Sequence, residues 1–389
     1  MKFDFDKPTD RRSTDSVKWQ VKENELPMWI ADMDFETAPA IKDAVMRVAE
    51  HGIYGYMTTP DEFFEAMADF WQKRFGFSFD SRDTVYSSGI VAAISSMVRK
   101  LTTAAENVLI QPPVYNIFYN CILNSGRNVL CNNLIVKDGE YEMDFADLED
   151  KLSNPQTSLM ILCNPHNPVG KIWPRETLER VGALCKKYGV TVISDEIHCA
   201  ITAPGTKYVP FASVNEVCAD ISVSCIANSK TFNLAGLQSS CLVAKNPILR
   251  HKVWRGVNTD DVGEPNAFSM RANIAACRES EEWLDQMLEY VFENKRAAVK
   301  YIEDNIPGVK AKVSEATYLL WVDVSDYTTD SEAFAEDLRE KTGLYVAAGR
   351  EYGESGEGFL RVNLATQRSN VLDGMKRLEM YVKNYCMVK

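Results

Sequence analysis

No run of apolar residues approaches the ~20 that a bilayer-spanning helix needs, so the chain does not read as a membrane protein. Basic residues are in deficit, 43 Lys and Arg against 55 Asp and Glu, for a formal net charge of -12. That balance argues against nucleic acid and against anionic membrane surfaces as partners. The ten cysteines include no CxxC pair and no zinc-ligand spacing, so no metal is expected. They read as reduced thiols, several of them buried as small hydrophobes. The opening Met1-Lys2-Phe3-Asp4-Phe5-Asp6-Lys7 alternates in charge, unlike a secretory or transit segment, and a cytoplasmic protein is expected. Internal repeats and low-complexity segments are missing too.

What is there is ordinary in bulk: 46% hydrophobic and 25% charged residues, as in a soluble globular protein. A length of 389 residues is too great for one small core, which predicts two domains. Residues 1–36 read as an irregular arm, in which Met28 to Phe35 forms either a short buried strand or the lining of a pocket. Helical spacing follows from Pro39 to about Gly52, then an aromatic turn at Ile53 to Tyr56, then an amphipathic helix from Phe63 to Phe75. From Thr84 onward, short apolar strands alternate with helices. Strands are expected at 84–86, 107–110, 158–163, 190–194, 221–226 and 237–244, and helices at 90–101 and 176–188. Continuous β-branched runs between helices imply an α/β fold with a parallel sheet covered on both faces. Functional groups should gather beyond the carboxyl ends of its strands. A polar connector after Arg250-His251-Lys252 leads to a long helical region from about 266 to 306. A strand-rich α+β unit follows, with strands at 309–313, 318–324, 344–347 and 359–364 and helices at 331–341 and 369–385.

The chemistry concentrates in Ser224 to Gly236, where a buried strand ends and a single lysine, Lys230, sits at the turn between Ser229 and Thr231. A lysine so placed is set for a perturbed pKa and for a Schiff base with a carbonyl cofactor. Four further signals lie at strand ends. Ser88-Gly89 opens a helix and offers backbone N–H groups to an anion, or simply caps the helix. Asp195 is placed to keep the ring nitrogen of a heterocycle protonated, or to cap a helix; Tyr115, after Pro112-Pro113, stacks on a flat ring or fills the core. Arg361 lies within the apolar run Phe359 to Leu364, where a buried guanidinium needs an anion, and a substrate carboxylate matches its fork. Together these form the inventory for pyridoxal phosphate acting on an α-amino acid.

Asn164-Pro165-His166-Asn167-Pro168-Val169-Gly170, Asp195-Glu196-Ile197-His198, Ser229-Lys230-Thr231-Phe232-Asn233 and Arg361-Val362-Asn363-Leu364 occur in that order. Across essentially its whole length the chain resembles the fold-type I pyridoxal phosphate enzymes. Within them it is most similar to the cystathionine β-lyases of the MalY/PatB type. That likeness rests on Trp29 to Phe35, Gln111 to Tyr115 and histidine at position 198. It implies a large domain with a mostly parallel seven-stranded sheet between helices and a smaller α+β C-terminal domain. The implied divisions are 1–47 (arm and part of the small domain), 48–285 (large domain) and 286–389 (small domain).

The same resemblance assigns roles. Lys230 carries the Schiff-base linkage, Asp195 pairs with the ring nitrogen, Asn167 and His198 lie beside the phenolic oxygen, and Tyr115 stacks on the ring. Gly89, Ile90, Val91 and Ser229 hold the phosphate. Tyr56, or else Tyr54, reaches the phosphate of a neighbouring subunit, which implies a homodimer with shared sites. Arg361, Asn167 and Ala31 hold the amino-acid substrate. Three positions depart from the wider aminotransferase pattern. Ala227 stands for a phosphate-binding serine and Gln238 for a phosphate-binding arginine, whereas His198, in place of tyrosine, is usual in the β-lyase subgroup. The implied activity is α,β-elimination of S-substituted L-cysteines to thiol, pyruvate and ammonia. An aminotransferase is the alternative, and a non-catalytic cofactor-binding regulator a third reading.

Overall fold

The computed structural model describes residues 2–386. The central sheet has seven strands, β1 (Thr84–Ser87), β2 (Asn107–Ile110), β3 (Asn128–Cys131), β4 (Thr157–Cys163), β5 (Thr191–Asp195), β6 (Ser222–Ile226) and β7 (Ser240–Val243). Their order across the sheet is β1-β7-β6-β5-β4-β2-β3. Strands β3, β2, β4, β5 and β6 pair in parallel, and β7 runs antiparallel to both β6 and β1. Every residue of β6 and β7 is buried, as expected of central strands covered on both faces. One face packs on the helices Ile90–Leu101 and Pro247–Thr259, the other on Phe145–Ser153 and Arg175–Tyr188.

A second, antiparallel sheet of four strands has the order β8 (Lys310–Ala311), β9 (Leu319–Asp323), β11 (Phe359–Asn363), β10 (Ala347–Ala348). Its core is closed by the helices Ser331–Thr342 and Arg368–Tyr385. The helix Glu281–Asn305 serves both units. Trp283, Leu284, Met287 and Phe292 belong to the core beside the large sheet, whereas Ala298, Val299 and Ile302 belong to that of the small one. Among the described residues, no helix is long and apolar enough to cross a membrane.

Several expected elements are corrected. The polar connector after Arg250 begins only at about Asp260, because Pro247–Thr259 is a helix with Pro247 in its first turn and Asn246 accepting from the Ile248 and Leu249 amides. The helical region 266–306 breaks at Ser280 into Ala267–Glu279 and Glu281–Asn305. A 3-10 turn at Ala235–Leu237 delays the strand expected from 237 until Ser240. The stretch 344–347 divides, Leu344–Tyr345 pairing with Leu26–Pro27 of the arm while Ala347–Ala348 pairs with β11. Residues 52–58 form an exposed irregular strap rather than a turn.

Candidate active site

The carboxyl ends of β4, β5 and β6 stand level, with Cys163 opposite Asp195 and Asp195 opposite Cys225. The loops that leave them, together with those after β1 and β2, open onto one cavity of about 640 Å³. Gly89, Ile90, Val91, Tyr115, Asn167, Asp195, His198, Ser229 and Lys230 all line it. Arg361 enters from β11 of the small sheet and Ala31 from the arm, so both units build the site. Tyr56 does not line it; its ring is wholly in solvent. Tyr54 bonds back to the Ala49 carbonyl and packs on Phe268.

Lys230 is partly exposed only because the cavity reaches it; protein surrounds its amine on nearly every side. Nζ donates to the Ala31 carbonyl at 2.6 Å. Burial and the Arg361 charge push its pKa down to about 8, against the opposing pull of Asp32 and Asp195. Asp195 is buried with one hydrogen bond, from the Ile197 amide at 3.2 Å. Burial raises its pKa to about 7, so the site is short of a cation beside it. Its neighbour Glu196 points the other way and is held by the Tyr208 hydroxyl (2.6 Å) and the Ser224 hydroxyl (2.9 Å). The Tyr208 hydroxyl also accepts from the Asn164 side-chain amide at 3.3 Å and lies 2.9 Å from the Asn164 carbonyl, which ties Glu196 to the loop that carries Asn167.

Arg361 donates to the Trp29 carbonyl at 2.8 Å and to Asn167 Oδ1 at 3.3 Å, and its guanidinium lies 4.8 Å above the Tyr352 ring. Its Nε has no partner, nor do His198 Nδ1 and the Ser239 hydroxyl; all three are buried and belong to cavity-lining residues. A buried polar group without a partner costs about 1–3 kcal/mol, so these atoms mark where a polar ligand belongs. His198 lies edge-on to Tyr318, and burial with the Lys230 charge pushes its pKa down to about 3. It is neutral. Gly89 has φ +134 and caps the helix Ile90–Leu101, a backbone that favours glycine and turns the first helical amides toward the cavity mouth.

Trp29, Ile30 and Ala31 form one wall, and the arm that carries them, Trp29 to Phe35, is held from both flanks. Asn233, three residues after Lys230, accepts from the Met33 amide and donates to the Met33 and Phe35 carbonyls. Asn363, two after Arg361, donates to the carbonyls of Ile30 and Asp32. Behind it, Arg11 and Lys18 pair with Asp34 at 2.8 Å each, and Arg11 also pairs with Asp32. Trp29 and Ile30 also line the cavity, in the stretch Met28 to Phe35 expected as either a short buried strand or a pocket lining. Ser239, Glu351 and Tyr352 line it without a motif in the sequence, and only the fold brings them in.

The chain matches the family model "Aminotransferase class I and II" over residues 25–378. Cystathionine β-lyase PatB of Bacillus subtilis (strain 168) is 40% identical to it, over 97% of this chain and 99% of PatB. Protein MalY of Escherichia coli (strain K12) is 30% identical, over 97% and 98%. The crystal structure of cystalysin from Treponema denticola, which contains pyridoxal 5′-phosphate, superposes with a TM-score of 0.95 at 29% identity, covering 99% of this chain and 100% of that one. The match over nearly the whole length, on top of the convergence of Lys230, Asp195, Asn167 and Arg361 at one cavity, means that the chain belongs to the class I and II aminotransferase family, alongside its PatB- and MalY-type members.

Proposed function

We propose that this chain is a pyridoxal phosphate-dependent carbon–sulfur lyase, which cleaves S-substituted L-cysteines, cystathionine among them, to a thiol, pyruvate and ammonia. The observation that carries this reading is the cavity itself. It sets an enclosed lysine amine, a buried carboxylate that lacks a strong cationic partner and a buried guanidinium with a free N–H around one space. Those groups fit pyridoxal phosphate: an amine for its carbonyl, an acid for its ring nitrogen, and Gly89, Ile90, Val91 and Ser229 for its phosphate. Tyr115 would stack on the ring, and Asn167, with Oδ1 engaged by Arg361, would offer its amide N–H groups to the phenolic oxygen, beside His198.

When bound, the cofactor supplies an electron sink for the negative charge left on Cα. The chain does the rest. Arg361 grips the substrate carboxylate through two N–H groups, with Asn167 and the Ala31 backbone completing the grip and orienting the Cα–H bond. Lys230, whose pKa of about 8 leaves a usable neutral fraction near pH 7, accepts the Cα proton at Nζ. The Cβ–S bond breaks, its electron pair leaves on sulfur, and the Lys230 ammonium returns the proton to the thiolate. Asp195, as an anion, would pair with the ring nitrogen and hold the proton there. The released 2-aminoacrylate hydrolyses in water to pyruvate and ammonia.

On the same reading the protein is a cytoplasmic homodimer in which the partner's Tyr56 reaches the cofactor phosphate. Support comes from the strap 52–58, which leaves Ile53, Tyr54 and Tyr56 exposed; large apolar side chains clustered in solvent suit an interface. The chain is read as divided at about residues 47 and 285, Arg361 crossing from the smaller unit. The test is turnover of L-cystathionine by the purified, cofactor-loaded protein without added keto acid. Many equivalents of pyruvate and thiol per site are expected. A single half-reaction without thiol, restored only by a keto acid, would make the chain an aminotransferase instead.

A further inference from the structure

Resting on that reading of the active site, the structure also indicates what the leaving half of the substrate carries. The cavity wall holds two carboxylates, Asp195 and Glu351. Asp195 lies deep, at the end of β5. Glu351 is exposed, on the short 3-10 turn Gly349–Tyr352. Exposure along the lining falls in two places. Val91, Ala235 and Gln238 are open where the phosphate is proposed to bind, and Glu351 is open at the side of Arg361 and Tyr352. Asn167, His198 and Arg361, between the two, are buried. With the phosphate side taken by the cofactor on that reading, the opening left to the sulfur substituent of a substrate held by Arg361 would be the one past Glu351.

The Glu351 carboxylate is presented, not spent. One oxygen accepts from the Ala348 amide at 3.2 Å, and partial burial holds the carboxyl above its usual pKa against the opposing pull of the Arg361 charge. The turn that carries it is fixed to the rest of the site. The Tyr352 carbonyl accepts from Val114 at 2.9 Å, and the Arg350 amide donates to the Ser331 hydroxyl at 3.0 Å. A Cβ on Gly349 would fall 2.1 Å from the Gly356 carbonyl oxygen, so the turn is packed against the next 3-10 turn, Glu354–Gly356. Arg361 rests on the Tyr352 ring, which puts the grip on the α-carboxylate and the Glu351 carboxylate on one rigid frame. A carboxylate at a substrate exit whose neighbouring cation, Arg361, is taken up by the substrate carboxylate favours a cationic substituent, and an incoming ammonium in turn favours its charged form against the burial that raises its pKa.

We infer that Glu351 is a specificity residue that receives the distal ammonium of a diamino thioether, so that the site prefers a leaving group that is itself an amino acid to a plain alkyl thiol. The test compares L-cystathionine with S-ethyl-L-cysteine, which lacks the distal ammonium, in the cofactor-loaded wild type, Glu351→Gln and Glu351→Asp. Glu351→Gln should lower kcat/KM for cystathionine roughly tenfold, mostly through KM, and leave S-ethyl-L-cysteine within about twofold, as one charge-assisted hydrogen bond predicts. Glu351→Asp should recover part of the loss. Equal losses on both substrates would mean that Glu351 only supports its turn, and no loss on either would mean that it touches nothing; each outcome overturns the inference and leaves the lyase standing. Failure of the wild type to release thiol from either substrate would remove the lyase reading and the inference with it.

Discussion

Lys230 and Lys295 are both enclosed by protein, and burial pushes both below the usual ammonium range, to about 8 and about 7. Their surroundings differ in kind. Lys295 is wholly buried in the helix Glu281–Asn305, donates to the Ser314 hydroxyl and the Ala316 carbonyl at 2.8 Å each, and lies 4.8 Å from the centre of the Phe292 ring. It does not line the cavity that Lys230 faces, and it pins the segment 314–316 against Gly170, where a Cβ would meet the Ser314 hydroxyl at 2.2 Å. Lys230 has one hydrogen bond and faces open space. A depressed pKa therefore marks burial in both, and chemistry only where the amine can reach a substrate. Asp195 and Glu196 repeat the contrast among acids. Burial raises both to about 7, yet Glu196 spends its oxygens on Tyr208, Ser224 and the Phe211 amide, and Asp195 keeps its own for the cavity.

Removing each lysine in turn gives the widest separation. Lys230→Ala should cut pyruvate release from cystathionine by at least about 10³-fold, the scale of a lost general acid–base, with the melting temperature little changed. Lys295→Met should keep the chemistry and lose stability. Equal losses of turnover in the two variants would erase the distinction. Among the acids, Asp195→Asn should cost turnover about 10²–10³-fold, as removal of a preorganised electrostatic partner does. Glu196→Gln should stay within a few-fold of wild type while unfolding at lower denaturant.

Much of this contrast was legible before the fold. Lys230, Asp195, Asn167 and Arg361 each lie where an apolar strand meets polar residues or inside an apolar run, so their burial could be read from neighbours in sequence. Lys295 could not, because nothing in Glu293-Asn294-Lys295-Arg296 distinguishes it from an exposed helical lysine; its cage comes from residues near 315. The ion pairs of Arg11 and Lys18 with Asp34 and the exit carboxylate Glu351 were hidden for the same reason. Other misses were readable. Asp138-Gly139, both at positive φ, turns the hairpin Leu134–Lys137 with Glu140–Met143, a plain two-residue hairpin signal. Asn246-Pro247 is an equally plain helix start.

A smaller effect tests Lys295 by pH. Its folded pKa of about 7 lies below the 10.5 of an unfolded lysine, so the unfolded chain binds the extra proton between those values. Stability should rise with pH across that window, by an amount on the order of a few kcal/mol. Denaturant titrations at pH 7 and pH 9.5 should find this rise steeper in the wild type than in Lys295→Met. Parallel slopes would mean that the buried amine finds a counter-charge.

The smallest effect concerns the strap. Tyr56→Phe removes one hydroxyl, and if the partner's Tyr56 bonds the cofactor phosphate, affinity for pyridoxal phosphate should fall roughly tenfold, the worth of one charge-assisted hydrogen bond. A mixed dimer decides whose site that hydroxyl serves. Pairing a Lys230→Ala subunit with a Tyr56→Phe subunit leaves one intact lysine, in the subunit that carries Tyr56→Phe. With shared sites, that lysine's cofactor is reached by the unaltered tyrosine of the other subunit, so the active site of the mixed dimer should bind cofactor as tightly as wild type. If each tyrosine serves its own subunit, the same site should show the full tenfold loss. The two arrangements thus differ in a binding constant measured on one species, with turnover by the single intact lysine reporting which site is being read.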